Sequence, residues 1–460
     1  MSDPLAARAR PPRPGVAIGA LLGLCFFLCY NANGREIPSA DSQAAKFSSV
    51  MLARRHVLSL GGVVGRQPLY GERQAFVRDR QGRWRNSYPL PPVLEGAAVA
   101  ALLRGLGVLS LDAPLAPAIV SKIAASLFTA LAGVFAFVAA RRFCGTGQAP
   151  RLGSGQAALV ATGFSLGTGL WPTASQTLWQ HASFTWSLMA AIALWTGDGT
   201  RTIVRSALIG ALLGWALSAR PQTLPMIGIL AIGALWNATP RSRAALAGAL
   251  LVSAGVFAGL NVFWFGHPAG GVPQFEQLSL SIHHARSTWQ WPLQGIAGLL
   301  FSPSRGLLVF SPIVAVALFA RASRGRPVIA WTLAAAAAQL LLYGSYSIWW
   351  GGYTYGPRYL LDLLPALVPA AALGMDRLAN AHVTVRAIAA AALAWSIVTA
   401  ATGAFCYPNE QWNTDPVNLD QAHERLWEVR DSQIPRCWSR GLAPQNFVLF
   451  DREIWRRSDR

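Results

Sequence analysis

Charge is scarce in this chain. Asp, Glu, Lys and Arg supply 13% of its 460 residues while hydrophobic residues supply 53%, and the mean hydropathy is +0.35. A soluble domain of this length needs far less apolar side chain to fill one core, so an ordinary globular fold is excluded and the bilayer is the natural solvent. Lysine is nearly missing, present only as Lys46 and Lys122, and the net charge of +19 is therefore carried by arginine. In a soluble protein that charge would point to nucleic acid. Here the arginines sit in short segments between apolar runs, where they report topology. Arginine in place of lysine, with abundant Ala, Gly and Pro, looks like the coding bias of a GC-rich bacterium. Cysteine is limited to five residues. Cys25, Cys29 and Cys144 have no metal-ligand spacing, so no metal and no cofactor is expected. Cys406 and Cys437 lie in the polar C-terminal stretch and would form a disulfide if that stretch is outside the cytoplasm. There is no long low-complexity tract and no strong internal repeat.

What is abundant is apolar runs of roughly 17–25 residues, each able to cross about 30 Å of hydrocarbon as a helix. The first, 15–30, follows Arg8, Arg10 and Arg13. It resembles a signal peptide as much as an anchor, with a weak cleavage site at Pro38-Ser39-Ala40, but the many spans after it favour a retained helix with its N-terminus inside. Further runs are 117–140, 155–173, 183–197, 204–219, 221–237, 244–265, 305–320, 327–343, 358–375 and 384–404. Arg141/Arg142/Arg151, Arg201/Arg205, Arg241/Arg243, Arg321/Arg324/Arg326 and Arg377/Arg386 mark every second connection, which places the loops 141–154, 198–203, 238–243, 321–326 and 376–386 in the cytoplasm.

The same alternation decides the segment 89–109. If it spanned, every basic loop after it would lie outside, so it is read as re-entrant or interfacial, in keeping with Pro89, Pro91, Pro92 and Arg104. The expectation is an all-α polytopic membrane protein with about eleven transmembrane helices, in a bacterial inner membrane, N-terminus cytoplasmic and C-terminus extracytoplasmic. Residues 1–404 form the membrane domain, with outer regions 31–88 and 266–304, and 405–460 form an outer tail. Within the first outer region, 42–55 reads as a short amphipathic helix and Val77-Arg78-Asp79-Arg80-Gln81-Gly82-Arg83-Trp84 as a hairpin around an Asp/Gly turn.

Asp41 stands soon after the first apolar run, immediately before the amphipathic stretch. A partly desolvated carboxylate at a membrane surface can take a proton from an acceptor hydroxyl as that oxygen attacks a sugar carbon. The plainer reading makes Asp41 the N-cap of the following helix.

An early acidic residue, then Ser87-Tyr88-Pro89-Leu90-Pro91-Pro92, then many helices, resembles the GT-C superfamily of polyprenyl-phosphate-sugar glycosyltransferases. Gly167-Thr168, Thr177-Leu178-Trp179-Gln180-His181, Arg220-Pro221, Ser302-Pro303-Ser304-Arg305-Gly306 and Trp350-Gly351-Gly352-Tyr353, followed by Gly356-Pro357-Arg358-Tyr359, match its bacterial members. The order of these motifs covers the chain to about residue 375 and is more specific than any one of them. The resemblance implies that Asp41 is the catalytic carboxylate, with Glu36 its rival and Glu72 or Asp79 a candidate second acid. The basic residue usual before Tyr-Pro is replaced by Ser87. Tyr88 belongs to the same segment and is carried over as a substrate contact.

The remaining candidates follow from position. Arg358, at the outer end of the 358–375 run, suits bidentate grip of the carrier phosphate, or an ion pair with Asp362 one turn on. Lys122 is a costly charge unless it snorkels or meets a lipid phosphate. His181 would position a sugar hydroxyl or phosphate, or simply pack. Arg220 and Arg305 mark outer helix ends, as interface anchors or phosphate contacts. His283, His284 and Arg286 lie in an outer loop that would cover the site; adjacent histidines do not share a helix face, so no metal is inferred. Trp171, Trp179, Trp186, Trp289, Trp291, Trp349 and Trp350 read mostly as an aromatic belt.

The expected function is transfer of a sugar from a polyprenyl-phosphate donor to an envelope glycan, lipid or protein, by an inverting reaction, with no nucleic-acid partner. Asp41 should face Arg358 and Lys122 across one cavity about a pyranose wide, not in direct contact. The alternatives are a flippase for lipid-linked saccharides, which should carry charge at the bilayer midplane and repeat its halves, and a polymerase or ligase of the O-antigen type using an undecaprenyl-diphosphate donor.

Overall fold

The computed structural model describes residues 14–64, 75–143, 153–197, 202–236, 238–274, 288–320 and 327–456. Glu72, Cys144, His283, His284 and Arg286 lie outside the described residues, as do most of the loops 141–154, 198–203 and 321–326.

Helix α1 (Pro14–Asn31) leads to α2 (Ala40–Arg55), to a hairpin of β1 (Phe76–Arg78) and β2 (Trp84–Asn86), and to α3 (Pro91–Gly105). The bundle continues through α4 (Ala116–Phe143), α5 (Ser154–Leu166), α6 (Gln180–Trp195), α7 (Ile203–Ala219), α8 (Leu224–Trp236) and α9 (Pro240–Phe265). It closes with α10 (Pro292–Phe301), α11 (Pro327–Gly344), α12 (Leu364–Ala379) and α13 (Val383–Cys406), and α14 (Gln433–Arg440) lies in the tail.

Among the described residues five stretches are long and apolar enough to cross a membrane, namely Ala116–Arg142, Pro240–Phe265, Pro327–Gly344, Arg358–Ala379 and Val383–Cys406. Shorter apolar helices cover Gly15–Asn31, Ile203–Ala219, Pro221–Trp236 and Pro292–Phe301. The outside of the bundle is what a lipid solvent permits: α9 leaves Leu251, Val252, Val256 and Phe263 more than half exposed, a patch that water would not tolerate. Small residues set the helix spacing. Gly210 and Gly214 of α7 lie so close to the α9 backbone at Leu246 and Leu250 that any side chain there would strike it.

Four of the expected spans are not continuous α-helices: 221–237 and 358–375 open with 3-10 turns at Pro221–Thr223 and Arg358–Leu363, and two others break further in. Helix α5 stops at Leu166 and the chain passes through a π-turn at Leu170–Ala174. The 305–320 run is a short helix, Leu307–Phe310, then a 3-10 stretch, Pro312–Phe319. Pro312 has no N–H to continue the α-ladder, and the tighter helix rises about 2 Å per residue, covering more depth with fewer residues. The 266–304 region also differs from the outer loop expected, because it contains the apolar helix α10, whose Gly295 sits against the Gly344 backbone of α11.

Helix α3 lies within the segment 89–109. Its 15 residues reach about 22 Å, short of a hydrocarbon layer of about 30 Å. Pro91 and Pro92 open it, where a missing N–H costs nothing. Val93, Ala97 and Ala100 are buried, while Leu102 and Leu106 stay exposed.

The two ends of the bundle differ in character. Arg141 lies beside Gly15 at the start of α1, and Arg142 and Arg205 flank Gly197. At the opposite end Lys122, near the start of α4, meets the last turn of α1 through the Tyr30 carbonyl; this end carries α2, the hairpin and the tail.

Candidate active site

Helix α2 begins at this second end because Ser39 caps it. Ser39 is extended, its hydroxyl accepts from the Asp41 N–H, and Ser42 returns the bond to the Ser39 N–H. The N-cap is therefore Ser39, not Asp41. With the capping done by its neighbour, the Asp41 carboxylate in the first turn is free to point elsewhere, and the helix N-terminus favours its negative charge.

Asp41 Oδ2 meets Arg358 Nη2 at 3.0 Å, with side chains 21% and 15% exposed respectively. Asp41 Oδ1 accepts from the Tyr88 hydroxyl at 2.7 Å. The expected gap of a pyranose between carboxylate and guanidinium is thus corrected to a direct ion pair, since two partly desolvated opposite charges are each other's least costly partners. Tyr88 is placed by Asn86, whose side chain accepts from the Tyr88 N–H and donates to its carbonyl. Burial and the adjacent Asp41 carboxylate hold the Tyr88 phenol well above its ordinary value, so it remains a donor.

The Arg358 guanidinium stacks over Trp179 at 4.6 Å from the ring centre, and Trp179 neighbours His181 at 5.7 Å between rings. Arg358 does not pair with Asp362, contrary to expectation. Asp362 is taken by others: its Oδ1 accepts from His181 Nδ1 at 2.8 Å, and its Oδ2 accepts from Arg220 Nη2 at 2.8 Å and from the Tyr343 hydroxyl at 2.5 Å. His181 and Arg220 are therefore joined in one fully buried network. The bond to Asp362 puts the His181 proton on Nδ1, leaving Nε2 an acceptor with no partner among the described residues. The Nε of Arg358 and Nε1 of Trp179 are unpaired in the same sense, which gathers three unspent polar groups around the ion pair.

Other candidates are spent on structure. Lys122 is 1% exposed, and its ammonium donates to Tyr30 O at 2.7 Å, Asn33 Oδ1 at 3.0 Å and Gln176 Oε1 at 2.6 Å. Three protons meet three acceptors, so Lys122 does not share a cavity with Asp41 as expected. Arg305 is likewise enclosed. It donates to the carbonyls of Ser304, Trp350 and Gly352 and to Asn413 and Gln433, which makes it a brace between loops and not an interface anchor. Glu36, the rival base, is paired with Lys46 at 2.9 Å and accepts from Thr177 at 2.7 Å. Asp79 is consumed by its hairpin: Gln81 N and Arg83 N donate to Oδ1, and Arg83 and Arg85 donate to Oδ2. Burial raises the Asp79 carboxyl, but the Arg85 and Arg83 bonds outweigh it and hold it below the usual carboxylate range.

Sequence reading missed two partners of this region. Glu95 of α3 accepts from Ser183, Trp186 and Trp215 through one oxygen, tying α3 to α6 and α7; an acidic residue inside an apolar stretch is the signal that marks it. Gln433 gave no signal of its own. The disulfide expected between Cys406 and Cys437 is present, with Cα atoms 5.6 Å apart, and it fastens α14 to the end of α13.

No protein-family model and no curated protein matches the chain. Among solved structures, ArnT from Cupriavidus metallidurans, determined with undecaprenyl phosphate bound, is similar in fold, with a TM-score of 0.51 and 15% sequence identity over 96% of this chain and 76% of ArnT. The chain thus shares the fold of ArnT, a polytopic and almost wholly helical architecture.

Proposed function

We propose that this chain transfers a sugar from a polyprenyl-phosphate donor to an acceptor hydroxyl at the extracytoplasmic face of a bacterial inner membrane. The observation that carries this reading is the Asp41–Arg358 ion pair, closed by Tyr88 and set in a fold shared with a protein solved bound to undecaprenyl phosphate. Asp41 takes the proton of the acceptor hydroxyl. The freed oxygen pair attacks the anomeric carbon from the side opposite the phosphate, the bond from that carbon to the phosphate oxygen breaks, and configuration inverts. Arg358 receives the charge that grows on the leaving phosphate. The donor's phosphodiester carries one charge, as Asp41 does, and competes for the guanidinium bidentately; the departing monoester gains a second charge that strengthens this grip as the carboxylate takes up its proton. His181, held by Asp362 with Nε2 presented as an acceptor, orients a sugar hydroxyl.

The isoprenoid chain would lie along the apolar surface between α5 and α12, where Leu159, Val160, Phe164, Ile313, Leu367 and Met375 line a shallow groove; α12 follows directly on the 3-10 turn that Arg358 opens. The acceptor is an envelope glycan, lipid or protein.

Analysis of lipid carriers and intact envelope glycans in a strain lacking this chain tests the proposal. A polyprenyl-phosphate sugar should accumulate on the outer leaflet while one sugar disappears from an envelope product. Accumulation confined to the inner leaflet would instead mark a flippase and end the transferase reading.

A further inference from the structure

The tail is bound to the chain segments that lead into each half of the ion pair. On the Asp41 side, Phe447 N and Leu449 N donate to the carbonyls of Asn33 and Gly34. Gly34 has φ +55, and a side chain on it would meet the Phe447 backbone, so this docking is built into the segment that leads to α2. On the Arg358 side the contact is a single side chain. Gln433, fully buried at the first turn of α14, accepts through Oε1 from Gly356 N at 2.9 Å and from Arg305 Nη1 at 2.7 Å, and donates through Nε2 to Thr354 O at 2.7 Å.

We propose that Gln433 is a positioning residue for Arg358, acting through the backbone of the Thr354–Gly356 turn, and that the C-terminal tail is thereby part of the donor site. Gly351, Gly352 and Gly356 all have positive φ, a backbone that does not hold its own shape through a helical or strand ladder, and Arg358 follows two residues after the last of them. Its amide bonds back to Gly356 O at 3.0 Å. Arg305 braces the start of this loop at the Trp350 and Gly352 carbonyls, and at the Thr354–Gly356 end the Gln433 amide group uses both acceptor and donor ends against the backbone. The Cys406–Cys437 bridge, one helical turn from Gln433 on α14, keeps that amide in register with the bundle. A guanidinium that must meet a phosphate bidentately tolerates little displacement, so loosening the turn is felt in phosphate affinity.

This inference rests on the donor-site reading of Arg358, and a double-mutant cycle separates the two. The full chain, with its disulfide formed, is placed in lipid nanodiscs and its affinity for undecaprenyl phosphate is measured. Gln433→Met keeps the shape and removes the hydrogen bonds; it should weaken binding about tenfold, the scale of one well-made hydrogen bond. In a chain already carrying Arg358→Lys, which binds through a point charge, the same change should cost less than about twofold. Should Gln433→Met fail to fold, Gln433→Glu keeps the accepting oxygen but sets a second one against the Thr354 carbonyl; it should also weaken binding, and its loss should shrink in the same background. Equal losses in both backgrounds, or no loss in the native one, overturn the role of Gln433. If Arg358→Lys alone binds as tightly as the native chain, the donor-site reading falls, and this inference with it.

Discussion

Asp41 and Arg358 form an ion pair at 3.0 Å between the first turn of the first amphipathic helix and the residue that opens the approach to α12. No local element links them. The contact exists because α1 and α2 return the chain to the same end of the bundle at which the 350–358 loop emerges. A partly buried pair of this kind is weak evidence for stability, since the desolvation of two charges offsets most of their attraction. Its position at a membrane-facing end, with a tyrosine hydroxyl on the second carboxylate oxygen, suits chemistry better.

Asp41→Asn tests that directly. The amide keeps an acceptor for the Tyr88 hydroxyl and leaves the Ser39 cap untouched, so folding should survive while transfer falls by about 10²- to 10⁴-fold, the usual contribution of a positioned base. Glu36→Gln, which breaks the Lys46 pair, should reduce stability and leave the chemical step largely intact. A purified transfer assay in which Asp41→Asn stays active and Glu36→Gln does not would move the base to Glu36.

Lys122 supplies a second test. Its ammonium is enclosed by Tyr30 O, Asn33 and Gln176, so Lys122→Met should strand buried acceptors at a cost of about 1–3 kcal/mol without changing affinity for undecaprenyl phosphate. Thermal unfolding in detergent and a binding titration read the two quantities separately. A loss of affinity at unchanged stability would return Lys122 to the phosphate site.

Much of this arrangement was legible in advance, and the exceptions have physical causes. Helices occupy most of the expected apolar runs because hydrophobic length is the dominant signal in a membrane protein. The hairpin followed from Asp79 and Gly82, and Asp41 was marked by its place after the first run. Sequence could not say which arginine Asp362 would take. Arg358 lies one turn away along the chain, but Arg220 reaches Asp362 from α7 with two nitrogens on one oxygen, and a tertiary contact of that quality displaces a local pair. Lys122 and Arg305 read as ligands because a charge in an apolar setting is costly. Their protein partners are neutral side chains and backbone carbonyls, which leave no mark in a sequence. Gln433 is the extreme case, a neutral residue in a polar tail whose partners are a glycine N–H, a backbone carbonyl and an arginine.

The Asp362 network carries a third prediction. Because Asp362 is held by Arg220, His181 and Tyr343 and not by Arg358, Arg358→Ala should leave it satisfied, and the Asp41 carboxylate, still bonded to Tyr88 and partly open to water, should make the loss smaller than that of Asp362→Ala. Asp362→Ala orphans a fully buried guanidinium and should cost about 3–5 kcal/mol. Unfolding of the two variants in the same detergent compares them; a larger loss for Arg358→Ala would mean that the partners are wrongly assigned.

The last prediction concerns the tail and pH. Glu410 is fully buried beside the disulfide. Burial pushes its carboxyl up from 4.5 to about 7, against the pull of its own backbone N–H, of Arg305 and Arg436 and of the Gln433 amide. Between those two values the folded tail holds a proton that the unfolded tail has already released. Stability must therefore fall as pH rises through that window and level off above it, the reverse of an ion-paired carboxylate. The swing is on the order of 3 kcal/mol at most, since each tenfold change in proton affinity is worth about 1.4 kcal/mol. Amide hydrogen exchange in the 406–440 segment, corrected for intrinsic rates, should show stronger protection at pH 5 than at pH 8. Glu410→Gln, which is neutral at both, should be protected equally at the two values and should exceed the native chain at pH 8. Native protection that rises with pH would show Glu410 to be charged and paired in the fold.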